Sequence, residues 1–279
     1  MKDSVALPRE LAPGLFWLGA CNQLSYQGKL LHSYNSVYVV VGGTKSVIVE
    51  AGHPARLSVI EGQLEELIAR GVPEPSYVFL THTETPHASG VGRLLDRFPE
   101  LVACGDIADL HLVFPQYVDR LISLDPGDAL DLGGSEFEVV EAVFRDHVTT
   151  RWGFDTGTST LFTGDGFSYS HYHEAGQCGH FAEEVDDIDL PDMVSLFAGL
   201  AFNWTLHADI EPYLERLDAQ LFEELDVTLI APTHGLPISD PLGTMPGIRE
   251  GLRMGSRRHD VAMLSYRPSG NGSTVAKPI

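Results

Sequence analysis

A four-layer α/β chain, helix–sheet–sheet–helix (αββα), is the fold class this sequence of 279 residues predicts. Three observations carry that expectation. Short apolar runs of strand length fall into two groups along the chain, and each group is followed by segments of helical period. No G-x-G-x-x-G follows the first strand, so a doubly wound parallel sheet loses its main support. Side chains suited to chemistry gather where the apolar runs stop, at the ends of strands, where a sheet scaffold offers rigid groups to a cleft.

In chain order, Gly14-Leu15-Phe16-Trp17-Leu18-Gly19 reads as a short buried strand. Residues 36–41 and 46–50 flank Gly42-Gly43-Thr44-Lys45, a hairpin signal. Leu57, Ile60, Leu64, Leu67 and Ile68 recur at helical spacing, which predicts a helix over 55–70 that stops at Gly71. A strand over 77–80, a His-bearing loop and a helix to about residue 97 follow. Further strands are expected at 101–104, 121–124, 137–143 and 159–163. The polar stretch 167–191 reads as a long loop or lid. Helices are expected over 192–207 and 210–225, then a last buried strand at 227–231. No linker or internal repeat divides the chain, so a single domain over 1–267 is expected, with a disordered Gly/Ser/Pro-rich tail at 268–279.

Lys plus Arg number 18 and Asp plus Glu 39, a net charge of −21, and 43% of the residues are hydrophobic. The apolar share fits a folded chain. The charge disfavours nucleic acid and anionic membranes as partners. Three cysteines, Cys21, Cys104 and Cys178, show no paired spacing, which fits a reducing compartment. With no signal-like N-terminal segment and no apolar run of membrane-span length, a cytoplasmic location is the expectation.

The densest chemistry is Thr81-His82-Thr83-Glu84-Thr85-Pro86-His87, directly after Ser76-Tyr77-Val78-Phe79-Leu80. Alternate side chains of an extended segment point one way, so His82, Glu84 and, after a turn, His87 converge beyond the strand end. Mixed imidazole and carboxylate donors suit a transition metal and lean toward iron or manganese. His147, Asp165 and His234 follow three more apolar runs. Gly164, Gly166 and Gly235 flank two of them and permit close approach of backbone or a metal. Asp165 also suits a simple turn. Ser89, Ser159 and Ser170 lack a nucleophile-elbow context, which disfavours a serine hydrolase. Tyr169, His171 and His173 lie in the lid stretch and are read as proton donors, gates or a supplementary ligand. His171, His173, Cys178 and His180 also spell a Cys/His pattern, but no second cysteine pair supports a site there.

These positions, taken in order, resemble the metallo-β-lactamase superfamily, with its His-x-His-x-Asp-His motif, distant His, strand-end Asp and final His. Glu84 makes the chain look more like the flavodiiron branch, whose first motif is His-x-Glu-x-Asp-His. The Asn35-Ser36-Val37-Tyr38 strand start and the Glu50-Ala51-Gly52-His53 turn extend the resemblance over roughly residues 15–238. It implies a pair of irons: His82, Glu84 and His147 on one, His87 and His234 on the other, Asp165 bridging. Two departures stand out. Pro86 replaces the family's Asp and has no side-chain donor, and the chain stops soon after the lactamase-like unit, so a flavodoxin domain is not expected within it.

The resulting expectation is a non-haem diiron protein that binds dioxygen and reduces it or directs it to a small organic substrate, using an external electron donor. Glu84, in place of an imidazole, favours iron over zinc, since two His and a carboxylate with open positions suit iron that binds oxygen; zinc and manganese are the alternative metals. A dinuclear zinc hydrolase of esters, thioesters or phosphodiesters is the alternative, and an oxygen-sensing binding protein, in need of a partner, is the third reading. A homodimer is carried as an expectation.

Overall fold

The computed structural model describes residues 4–258 except 27, 173–177 and 187. The expected tail over 268–279 and His173 lie outside the described residues. The first half contains β1 (Arg9–Ala12), β2 (Leu15–Leu18), β3 (Cys21–Tyr26), β4 (Lys29–Tyr34), β5 (Val37–Val41), β6 (Ser46–Val49), α1 (Leu57–Ala69), β7 (Tyr77–Leu80), α2 (Thr85–Ala88), α3 (Val91–Arg97), β8 (Val102–Gly105), α4 (Leu110–Val113) and β9 (Leu121–Ser123). The second half contains β10 (Ala129–Asp131), β11 (Glu136–Glu141), β12 (Arg151–Asp155), β13 (Thr160–Gly164), α5 (Leu190–Ala201), α6 (Glu211–Ala219), β14 (Leu229–Pro232) and α7 (Pro241–Gly255).

Seven strands form one sheet in the order β1-β2-β5-β6-β7-β8-β9, and five form a second in the order β10-β11-β12-β13-β14. Strand alternation sorts the core into two compartments. Val37, Val39 and Ile48 pack with Ile60, Leu64 and Leu67 of α1 and Val91 and Leu95 of α3, while Tyr38, Val40 and Val49 pack with Phe137, Val139, Leu161 and Phe162 of the second sheet. The same inter-sheet compartment continues into Val194 and Leu196 of α5, Leu214 of α6 and Ile248 of α7. Helices therefore cover both sheets, as the αββα expectation requires. Phe137 sits at the seam, with ring centroids 5.1 Å from Phe79 of the first sheet and 5.6 Å from Phe162 of its own. Each such ring contributes roughly 1.5–3 kcal/mol of transfer free energy. Among the described residues no helix is long and apolar enough to cross a membrane.

Most expected elements form, often a residue or two shorter. The short β1, α4 and β10 were not read from the sequence, and three larger features were missed as well. The β3–β4 hairpin, a sheet of its own, mixes polar and apolar residues without a clean period. In β12 the interior Gly153 weakens the strand pattern, but only glycine fits there, because a Cβ would lie 2.2 Å from the Phe137 ring. Helix α7 carries Pro246 and a run of glycines that argue against a helix on propensity alone. Those glycines have a packing role: Cβ atoms on Gly251 and Gly255 would lie 2.6 Å from Val194 and 2.7 Å from Ala198 of α5. Bare backbone lets the two helices approach closely, a tertiary gain that overrides the local cost.

Candidate metal centre

Four strand ends open onto one cleft. His82 lies two residues beyond β7, Asp165 directly follows β13, and His234 lies two residues beyond β14. His147 sits six residues beyond β11, in the turn before β12. Backbone bonds tie the ends together across the sheets: Arg151 N donates to Thr81 O at 2.9 Å, Thr233 N to Gly164 O at 2.9 Å, and Ser36 N to Thr233 O at 2.9 Å. Gly164 adopts φ +55, and a Cβ there would lie 2.6 Å from Thr81 Oγ1, so glycine is what lets the β13 end back onto the His82 loop.

His82 and His87 are fully buried, and Asp165 is nearly so. His87 Nε2 is 3.2 Å from Asp165 Oδ1, and His234 Nε2 is 3.4 Å from the same oxygen. Glu84 and His147 form the open rim, each side chain about half exposed, with His147 Nε2 2.9 Å from Glu84 Oε1. One oxygen or nitrogen atom from each of His82, Glu84, Asp146 and Asp165 lies within 4.8 Å of the others, and the same holds for His82, His87 and Asp165. The structure thus brings together all six residues expected as ligands.

Two carboxylates join them that the sequence reading did not place. Asp146 fixes Oδ1 by accepting from Thr150 Oγ1 at 3.0 Å and aims Oδ2 inward, 3.3 Å from His82 Nε2 and 3.4 Å from His147 Nε2. Its only sequence signal was adjacency to His147. Glu50, read as part of a turn, is 1% exposed and puts Oε1 3.1 Å from His87 Nδ1. That oxygen also accepts from Thr81 Oγ1 at 2.5 Å and Thr233 Oγ1 at 3.3 Å. Glu50 holds φ +67, a left-handed conformation rare for a side-chain-bearing residue. Strain of this kind costs on the order of 1–3 kcal/mol and clusters at functional sites.

The expected lid residues play other parts. Tyr169 is fully buried; its hydroxyl donates to Leu236 O at 3.2 Å and its ring lies against Gly235. It braces the His234 turn, and its backbone N–H donates to His234 O at 2.9 Å. His171 is also fully buried, paired through its backbone with His32 and stacked with Tyr34 at a ring-centroid distance of 6.5 Å. Neither is presented to solvent as a mobile lid would be.

Burial disfavours charge on His87, yet the carboxylates of Glu50 and Asp165 outweigh it and push its pKa to about 10. Burial alone would raise Asp165; His87, His234 and His82 outweigh it and hold that carboxyl well below the usual range. Burial lowers His82 and His234, and the His87 cation adds to both effects. His234 Nδ1 is held 2.7 Å from Tyr34 O, which fixes the ring so that Nε2 faces Asp165.

The donor set fits metal ions. Among the described residues, the buried side-chain atoms without a hydrogen bond include Glu50 Oε2, His82 Nε2, both ring nitrogens of His87, Asp146 Oδ2 and Asp165 Oδ1. Buried polar atoms are rarely left so, and a cluster of them in one cleft marks a ligand site. Two donors about 2.1 Å from one ion, separated by an angle of ~90–110°, lie ~3.0–3.4 Å apart. The separations here run from 2.9 to 3.4 Å.

Comparison with known proteins agrees with this geometry. Residues 32–234 match the metallo-β-lactamase superfamily, and the chain belongs to it. Within it, the similar proteins are of the flavodiiron kind. The chain is 32% identical over 145 residues to diflavin flavoprotein A 3 of Nostoc sp., covering 50% of this chain and 24% of that protein. It is 26% identical over 211 residues to diflavin flavoprotein A 2 of Synechocystis sp., covering 73% of this chain and 33% of that one. Its fold superposes on rubredoxin oxygen:oxidoreductase from Desulfovibrio gigas with a TM-score of 0.70 at 13% identity, covering 88% of this chain and 60% of the other. The chain thus spans a quarter to a third of the length of the curated relatives it matches.

Proposed function

We propose that this chain is the lactamase-type core of a diiron oxidoreductase that reduces dioxygen or nitric oxide with electrons from an external donor. The observation that carries the reading is Glu84. Its carboxylate faces His147 and shares the cleft with His82, Asp146 and Asp165, so oxygen donors stand where a zinc hydrolase commonly keeps a third imidazole. Two imidazoles with carboxylates and open positions are the donor set of oxygen-reactive non-haem iron. The names of the relatives, diflavin flavoproteins and a rubredoxin oxygen:oxidoreductase, support the same reading.

His82, Glu84 and His147 would hold one iron with Asp146 beside them, His87 and His234 the other, and Asp165 both. An iron pair bound there would supply the redox change and the coordination of a diatomic substrate. The chain's residues supply the surroundings. Glu50 holds His87 by its Nδ1 side and Tyr34 O holds His234, so both rings present Nε2 to Asp165. Pro86 stands where an acid occurs in the flavodiiron motif and brings no side-chain donor, so a position on the metal held by His87 and His234 would fall to water or substrate. The half-exposed Glu84 and His147 stand on the solvent side of the cleft. A small organic substrate in that cleft is a second use of the same chemistry.

The test is metal content followed by gas consumption. Protein produced with ample iron should carry about two iron ions per chain and, once reduced, consume dioxygen or nitric oxide. Glu84→His should move the bound metal toward zinc and abolish gas consumption. Zinc in the unaltered protein together with ester or phosphodiester turnover would overturn the proposal in favour of a hydrolase.

A further inference from the structure

A second donor cluster lies away from the cleft. Cys21 opens β3 and pairs across the hairpin with Tyr34, while His32 of β4 pairs with Gln23. Cys21 and His32 therefore share one face of the hairpin as diagonal neighbours, within reach of each other's side chains. The sequence gives them 11 positions of separation, and Cys178 lies 146 residues beyond His32. The fold brings Cys178 to the same point. Cys21 Sγ is 3.1 Å from His32 Nδ1, Cys178 Sγ is 3.7 Å from that nitrogen, and the three ligand atoms lie within 4.8 Å of one another.

We propose that Cys21, His32 and Cys178 form a zinc site, separate from the centre at His82. Four donors placed tetrahedrally at about 2.3 Å for sulfur and ~2.05 Å for nitrogen put a sulfur ~3.5 Å from a nitrogen. The two separations observed bracket that value. The donors are soft thiolates and one imidazole, unlike the oxygen-rich cleft, so the two sites select different metals. Among the described residues the group has three protein donors, and water would complete the fourth position.

Cys21 is placed by the hairpin register, and Cys178 is held by backbone bonds. Cys178 N donates to Ser4 Oγ at 3.2 Å, Val5 N donates to Cys178 O at 2.8 Å, and Gly179 N donates to Tyr34 Oη at 2.7 Å. Arg9 Nη1 donates to Gly179 O at 2.8 Å. His32 is 3% exposed and both cysteines are partly exposed, an arrangement with a fixed floor and an entry path. A thiol is ordinarily protonated at neutral pH, and the thiolate is the metal ligand. Binding forms two Zn–S bonds and one Zn–N bond and releases two protons to solvent.

The site has a structural consequence. It clamps the segment at Cys178, downstream of Asp165, onto the hairpin strand that carries Tyr34. The Tyr34 carbonyl holds His234 Nδ1 at 2.7 Å. The clamp therefore acts two residues from a group that orients a histidine of the main centre.

The test uses the full chain, with its main centre already loaded, under a non-thiol reductant. Added cobalt(II) should produce a sulfur-to-metal charge-transfer band, which the cleft cannot give because it contains no cysteine. Zinc should displace the cobalt and protect Cys21 and Cys178 from alkylation, read peptide by peptide; Cys104, 1% exposed in β8, serves as an internal reference. Cys21→Ser and Cys178→Ser should each weaken zinc by at least about 100-fold, since even groups that merely orient ligands are worth 10–100-fold, and should leave the iron content unchanged. Cobalt bound without the sulfur band overturns the proposal. So do cysteines that alkylate freely under saturating zinc, or a Cys21–Cys178 disulfide that forms while zinc stays in solution. Because the band and the alkylation pattern are read on the unaltered chain, a serine variant that fails to fold does not blunt the test.

Discussion

Replacing Glu50 with glutamine isolates the role of a buried carboxylate that touches no reacting group. In the structure Glu50 Oε1 accepts from Thr81 Oγ1 and Thr233 Oγ1 and faces His87 Nδ1 at 3.1 Å. A glutamine oxygen at that point keeps the shape and both threonine bonds. What it loses is the charge behind the histidine. A hydrogen bond to a charged group is worth roughly 1.5–3 kcal/mol and a neutral one roughly 0.5–1.5, a difference of ~1–1.5 kcal/mol. At 1.4 kcal/mol per decade that is about tenfold in affinity, within the 10–100-fold range for groups that orient metal-bound histidines. The amide NH2 replaces Oε2, a buried atom with no hydrogen-bond partner, and leaves a donor unsatisfied at about 1–3 kcal/mol of stability. Anaerobic competition titration with ferrous iron, beside a thermal melt of the metal-free protein, separates the two effects. The expected result for Glu50→Gln is an affinity about tenfold lower, with a melt lower by a few degrees. An unchanged affinity beside a lowered melt would refute the reasoning and make Glu50 a packing residue.

Other outcomes follow from particular contacts. Asp146→Asn should reduce iron at the His82 side, read as metal content falling from about two toward one per chain; unchanged content would limit Asp146 to bracing the turn through Thr150. Phe137→Ala removes the ring that meets Phe79 of the facing sheet and should cost ~3–5 kcal/mol in urea unfolding. Glu184, held at a pKa of about 2 chiefly by its hydrogen bond to Arg9, has an ordinary value of 4.5. Folding thus lowers its proton affinity, and its stabilisation is present at neutral pH and lost as the pH falls from 4.5 toward about 2. The pair is partly exposed, so this amounts to ~1 kcal/mol at most, and Arg9→Ala should flatten that limb of an acid denaturation curve.

Much of the cleft was legible because strand ends leave a double signature, an apolar run and then a donor. His82, Asp165 and His234 carry it directly, and Glu84 and His87 follow His82 within one short loop. Asp146 hid beside His147, where an acid in a turn has many ordinary uses. Glu50 hid in a turn whose significance depends on His87 arriving opposite it from another strand. Tyr169 and His171 were misjudged for a related reason. A polar stretch after Asp165 reads as exposed, but backbone pairing with His234 and His32 draws both side chains inside. The same pairing hid the Cys21–His32–Cys178 cluster, since only the hairpin register puts the first two on one face. Helix α7 was masked by Gly251 and Gly255, whose value lies in their contact with α5 rather than in local propensity.

Anomalous scattering from crystals of iron-loaded protein, measured on both sides of the iron edge, addresses the central proposal most directly. The account predicts two iron peaks flanking Asp165, one of them within bonding distance of Glu84. A single zinc peak held by imidazoles, with the Glu84 carboxylate directed into solvent, would contradict it.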